Sequence, residues 1–144
     1  MTTKRYLNRI RLLDIKINQR IEQAEDLKRR AFSLGSPEIK ADPVQSSPNQ
    51  DQLAEAVSRY VDMENKINDM IDKFVAMKDK IISEIQQVED PRYCTVLYLR
   101  YVKYMNMQEI SEYMNYEYKY TCKIHGQALI AFERTRTKTN RPML

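Results

Sequence analysis

Residues 105–133 read MNMQEISEYMNYEYKYTCKIHGQALIAFE, and this stretch decides the fold. Met107, Ile110 and Met114 recur at helical spacing, with Gln108, Glu109, Ser111 and Glu112 on the opposite, wet side. A second helical row follows, Thr121, Ile124, Ala128, Leu129 and Phe132, and it leaves Tyr118, Lys119, Tyr120, Cys122 and Lys123 to project from the start of its helix. Two short amphipathic helices joined by a tight turn make a helix-turn-helix, whose second helix offers its N-terminal side chains to DNA. The turn requires a left-handed residue, and the hinge supplies Asn115, which takes that conformation next most readily after Gly.

Upstream, Asp90-Pro91 marks a break, because the residue before proline avoids the α region while proline fits the first helical position. A helix from Pro91 to Tyr104 then turns Val96, Leu97 and Tyr101 toward the motif. Before the break lie two long patterns. Tyr6, Ile10, Leu13, Ile17, Ile21, Ala24, Leu27, Ala31 and Leu34 step by three and four along a helix of about 28 residues, which Gly35-Ser36-Pro37 stops. From Gln52 to Val88, Ala56, Tyr60, Met63, Ile67, Met70, Phe74, Met77 and Ile81 follow a coiled-coil period, widened by Val57, Ile71, Ile85 and Val88. Residues 35–51, rich in Pro and Ser, hold too few apolar side chains to order themselves and read as a flexible linker.

The expected fold is therefore all-α. Residues 1–90 form a long antiparallel helical hairpin, a coiled coil serving dimerisation or partner binding, and residues 91–144 a small helix-turn-helix domain with a basic tail. The flexible thioethers of Met63, Met70 and Met77, with Tyr60, Ile67, Phe74 and Ile81, make the seam the expected dimer or partner face. After Phe132 the tail ERTRTKTNRPML is expected to fray.

The formal charge of +4 is unevenly spread. Met1 to Asp90 is nearly neutral, whereas beyond it Arg92, Arg100, Lys103, Lys119, Lys123, Arg134, Arg136, Lys138 and Arg141 face only Glu109, Glu112, Glu117 and Glu133. Such an excess beside the motif attracts a polyanion without specifying its sequence.

Other chemistries find no support. With two glycines the chain cannot build a phosphate-cradling loop, and no nucleotide-binding or nucleophile-elbow motif is present. Cys94, Cys122 and His125 fall one short of a structural zinc set, so no metal ligand and no cofactor is assigned, and both thiols read as reduced. Carboxylate pairs such as Asp69/Asp72 and Glu109/Glu112 are what a wet helix face carries, so an enzyme is not expected. With no apolar run long enough for a membrane span and no secretion signal, the expected location is the cytoplasm of a bacterial host.

Leu97, Arg100 and Tyr101, then Gln108-Glu109-Ile110, then Ile124, Ala128-Leu129 and Phe132 give the C-terminal part its resemblance. It is similar to the fourth region of bacterial sigma factors and, more narrowly, resembles phage and prophage transcriptional regulators of the ArpU/RinA type. The likeness covers about a third of the chain. It implies a regulator of phage or prophage late genes that binds double-stranded DNA, and the coiled-coil seam adds the expectation of a homodimer through the N-terminal helices.

In that reading Tyr116, Glu117, Tyr118, Tyr120 and Lys123 meet bases. Arg92, Arg100, Lys103, Lys119, His125, Arg134, Arg136 and Lys138 meet phosphates. The alternative is a protein-binding adaptor or inhibitor that docks on RNA polymerase or another host protein through the sigma-like domain and the coiled coil. It is motivated by Tyr118, Tyr120 and Cys122, which stand where sigma factors carry Arg, since Tyr favours protein interfaces.

Overall fold

The structure is a computed structural model and describes residues 1–35 and 47–139. Its elements are all helical: α1 (Thr3–Gly35), α2 (Ser47–Gln86), α3 (Pro91–Leu97) continuing as a π-helical turn (Tyr98–Val102), α4 (Met107–Met114) and α5 (Tyr118–Thr139). The all-α expectation is met. Among the described residues no helix is long and apolar enough to cross a membrane.

Both long helices exceed their expected spans, at 33 and 40 residues. α1 starts early because Thr2 caps it, its Oγ1 accepting the Arg5 amide at 3.2 Å. α2 begins at Ser47 rather than Gln52, since Pro48 in a first turn forfeits no helical hydrogen bond. The proposed linker thus contracts, and its centre, residues 36–46, lies outside the described residues.

Two compact units emerge, Asp14–Lys73 and a second made of Met1–Leu13 with the chain from Phe74 onward. In the first, α1 and α2 run antiparallel: Gln23, Asp26 and Leu27 share a groove with Asp62, Met63 and Lys66, whereas the earlier Lys16 and Gln19 share one with the later Met70. Ile17, Ala24 and Ile67 are buried there, and Ala56, Tyr60, Met63 and Met70 are half-buried. Val57, Val61 and Ile71 stay exposed, as do Ile15, Ile21 and Phe32. Seam residues thus pack within the chain, and the flanking row on α2 is what remains open.

The other unit carries the helix-turn-helix. Its main core joins Tyr6, Leu7 and Ile10 of α1, Ile81 and Ile85 of α2, Val88, Leu97, Tyr101 and Val102, and Ala128 and Phe132 of α5. Sequence reading put a boundary at Asp90; the core runs across it, because the first turns of α1 and the last turns of α2 supply apolar surface that three short helices lack. Phe74 and Met77 pack against the same core. A second, smaller core of Val96, Leu99, Ile110 and Ile124 sits under the motif.

Three local features differ from expectation. The helix predicted to Tyr104 ends in the π-turn, after which Tyr104 adopts a left-handed conformation at φ 60°. Ser111, expected on the wet side, is buried, its hydroxyl donating to the Gln108 carbonyl at 2.7 Å. Most consequential, the tail does not fray after Phe132, for α5 continues to Thr139. Thr135, Thr137 and Thr139 each donate to the carbonyl four residues back, at 2.8–3.0 Å. Thr139 also reaches Gln87 and Thr3 reaches Glu133, tying the last turns of α5 to α2 and α1. Residues 140–144, the end of the predicted tail, lie outside the described residues.

Candidate nucleic-acid interface

The motif is fixed at both ends of α4. Asn106 and Glu109 form a reciprocal capping box: the Asn106 side chain accepts the Glu109 amide at 2.8 Å, and the Glu109 carboxylate accepts the Asn106 amide at 3.3 Å. Glu109, expected to be a plain wet-face residue, therefore has a local task. At the other end Asn115 is left-handed (φ 57°, ψ 42°), as its place in the hinge required. The Tyr116 amide closes the turn on the Ser111 carbonyl at 3.0 Å. Thr121, Ile124, Ala128 and Phe132 are fully buried, which fixes the rotation of α5 and aims its opposite side at solvent.

The expected base-contact residues gather at the start of α5 with unequal freedom. Glu117, Tyr118 and Lys123 are exposed. Tyr116 is half-buried over the smaller core and meets Tyr120 edge-on, with centroids 5.0 Å apart. Tyr120 is exposed, but its hydroxyl accepts a hydrogen bond from Arg92 at 2.7 Å. Arg92 is itself gripped by Asp90, which caps α3 and accepts from both its backbone and its guanidinium. That grip holds the Asp90 carboxyl below the usual carboxylate range. Arg92 thus ties the head of α3 to the head of α5.

The expected phosphate contacts divide more sharply. Lys103, Lys119, Arg134 and Lys138 are exposed cations. Arg100 instead is half-buried and donates to the Met105 carbonyl at 3.0 Å, bracing the chain after the π-turn. His125 is half-buried too, its Nε2 2.8 Å from the Tyr101 hydroxyl and its ring stacked on that tyrosine. Burial, then the positive fields of Lys4 and Arg100, push it down to about 4, so it is neutral near pH 7 and brings no charge to a phosphate. Arg136 is turned inward, its Nε 3.1 Å from a Glu84 carboxylate oxygen. Arg100, His125 and Arg136 thus each have an intramolecular partner, unlike the four exposed cations.

Sequence reading passed over side chains on the same outward face. Gln127 is exposed and accepts a hydrogen bond from Tyr93 at 3.2 Å, and Gly126 and Ile130 are open to solvent beside it. Counting outward from Lys119 by helical steps, to Lys123, Gly126 and Ile130, finds this row. Cys94 and Cys122 are free thiols, and the Cys94 sulfur lies 2.9 Å from the Val88 carbonyl near the end of α2. Among the described residues no cluster of His, Cys, Asp or Glu is arranged to hold a metal ion. Comparison with family models, with curated proteins and with solved structures found no match for this chain.

Proposed function

We propose that this chain is a sequence-specific DNA-binding regulator of transcription, of the phage or prophage type, that acts as a homodimer through its N-terminal helices. One observation carries the reading: α4 and α5 are joined through the left-handed Asn115, and the head of α5 presents Glu117, Tyr118, Lys119 and Lys123 to solvent on the side away from the core. In this reading α5 enters the major groove. Glu117, Tyr118 and Lys123 read base edges, and tyrosine both donates and accepts there and lays its ring on a thymine methyl. Lys103, Lys119, Arg134 and Lys138 neutralise phosphates and set the orientation. Arg92 positions Tyr120 rather than meeting the backbone directly.

The test is selection of bound sequences from random double-stranded DNA by the purified chain at two salt concentrations. An enriched motif supports the reading, and its symmetry reports the dimer. Weak, unselective binding that moderate salt abolishes sinks it, because only the electrostatic contribution would be left.

A second reading, docking on RNA polymerase or another protein, draws on a groove lined by Ile85, Cys94, Tyr98, Leu99, Met105 and the strongly exposed Tyr113. Its apolar lining suits a protein helix better than a phosphate backbone. Replacing the exposed Tyr113 would weaken polymerase binding in that case and leave DNA selection unchanged.

A further inference from the structure

The chain has two glycines. Gly35 ends α1, where a glycine is expected. Gly126 is different, for it lies inside α5, eight residues from its start, with helix on both sides. Glycine there weakens a helix relative to alanine, because it loses more backbone freedom on folding. Two intramolecular reasons for a glycine are available, and neither applies. Its φ is not positive, so no left-handed conformation demands it. A Cβ built at Gly126 meets nothing within 4 Å, so no neighbour within the fold needs the space.

The position of Gly126 supplies a reason outside the fold. Thr121, Ile124, Ala128 and Phe132 define the buried side of α5, and Gly126 falls near the middle of the opposite side. Lys123 and Lys119 precede it on that face, about one and two turns back, and both are exposed. A bare stretch of backbone that follows two exposed lysines is suited to close approach by a polyanion. Leaving aside the inward Arg136, α5 carries the exposed Lys119, Lys123, Arg134 and Lys138 against Glu133 alone, so a negatively charged occupant is favoured over an apolar helix.

We infer that Gly126 is the point of closest approach between α5 and bound double-stranded DNA, where a missing side chain lets the helix backbone settle against the sugar-phosphate wall of the groove between the contacts of Lys123 and the rest of the face. This rests on the DNA-binding reading above and adds to it a steric element of recognition that carries no charge and makes no hydrogen bond of its own.

The test uses the full chain with Gly126→Ala and Gly126→Leu, measured for thermal unfolding and for affinity to the DNA selected by the unsubstituted protein across a salt series. Gly126→Ala is expected to favour the folded state by about fivefold. It is also expected to bind the selected DNA more weakly, with Gly126→Leu weaker by about tenfold or more. The dependence of log affinity on log salt stays unchanged, since no phosphate contact is removed.

Stabilised variants that bind the selected DNA as tightly as the unsubstituted chain would overturn the inference and leave the DNA-binding reading standing. A Gly126→Ala protein that is less stable would also overturn it, by showing that the fold itself requires the glycine. If the unsubstituted chain selects no DNA, the underlying reading fails first. A protein partner whose binding Gly126→Leu alone then abolished would replace DNA as the occupant.

Discussion

The Arg136 guanidinium lies 3.5 Å from the centre of the Tyr6 ring, joining the last turns of α5 to the first turn of α1. Its Nε makes an ion pair with Glu84 rather than an aligned hydrogen bond, and the Tyr6 hydroxyl donates to the same carboxylate. Burial, reinforced by Glu84, pushes the Tyr6 phenol up to about 12, so it remains a donor throughout the physiological range. Arg136→Ala removes the stacked cation and leaves a mostly buried carboxylate without its counter-charge. The expected loss is about 2–3 kcal/mol, read by chemical denaturation. Because Arg136 faces inward, the variant is expected to keep the salt dependence of the proposed DNA binding, whereas Lys119→Ala, which removes a proposed phosphate contact, is expected to flatten it by about one unit. A flattened slope in folded Arg136→Ala would return this arginine to the DNA surface.

His125 gives the fold an acid-side weakness. Its folded form holds the imidazole neutral down to about 4, while the unfolded chain takes up a proton near the ordinary value of 6.5. Between those values the unfolded state binds more protons, so stability falls as pH drops from about 6.5 toward 4 and the contribution is gone below that. Partial solvation screens the effect, which is expected to be about 1–2 kcal/mol. His125→Gln should flatten the stability curve in this window relative to the unsubstituted chain. Identical slopes would show that the histidine protonates freely where it sits.

What could be read from the sequence was whatever is periodic or local. The steps of Thr121, Ile124, Ala128 and Phe132 gave the buried side of α5, Pro91 gave the start of α3, and the hinge gave the left-handed Asn115. The capping box was present as Asn106 and Glu109 but was hidden in a wet-face pattern, since one glutamate satisfies both descriptions. The helical tail was invisible for a different reason. Thr is a weak helix former and the apolar row stops at Phe132, and what orders the tail is contact with Tyr6, Glu84 and Gln87, residues dozens of positions away. Composition likewise counts Arg100 and Arg136 as cations without showing that the Met105 carbonyl and Glu84 already engage them.

Asn115 tests the hinge itself. At φ 57° a β-branched side chain is strained, so Asn115→Val should cost about 1–2 kcal/mol. Asn115→Gly, by contrast, should be neutral or slightly stabilising. Helical content by circular dichroism would stay near that of the unsubstituted chain in both, and only the unfolding midpoint would separate them. Equal midpoints would mean that the turn relaxes to another geometry.

The proposed dimer is the part of the reading that the packing of α2 sharpens most. Ile67 is buried at 7% exposure, so its face is occupied within the chain and Ile67→Ala should cost about 2–4 kcal/mol whatever the oligomeric state. Val57, Val61 and Ile71 lie on a flanking row, interrupted by Glu64 and Asn68, and are 44%, 45% and 36% exposed. A second copy covering this row would bury apolar surface that a two-helix unit cannot bury alone. Val61→Lys combined with Ile71→Lys should therefore convert a dimer into a monomer in sedimentation experiments while leaving helical content intact. It should also weaken binding to a two-half-site operator far more than to a single half-site, because linked recognition is lost while each helix-turn-helix stays whole. A double variant that sediments as a dimer would move the interface off this row, and an unsubstituted chain that is monomeric at tens of micromolar would leave each helix-turn-helix to find its half-site unaided.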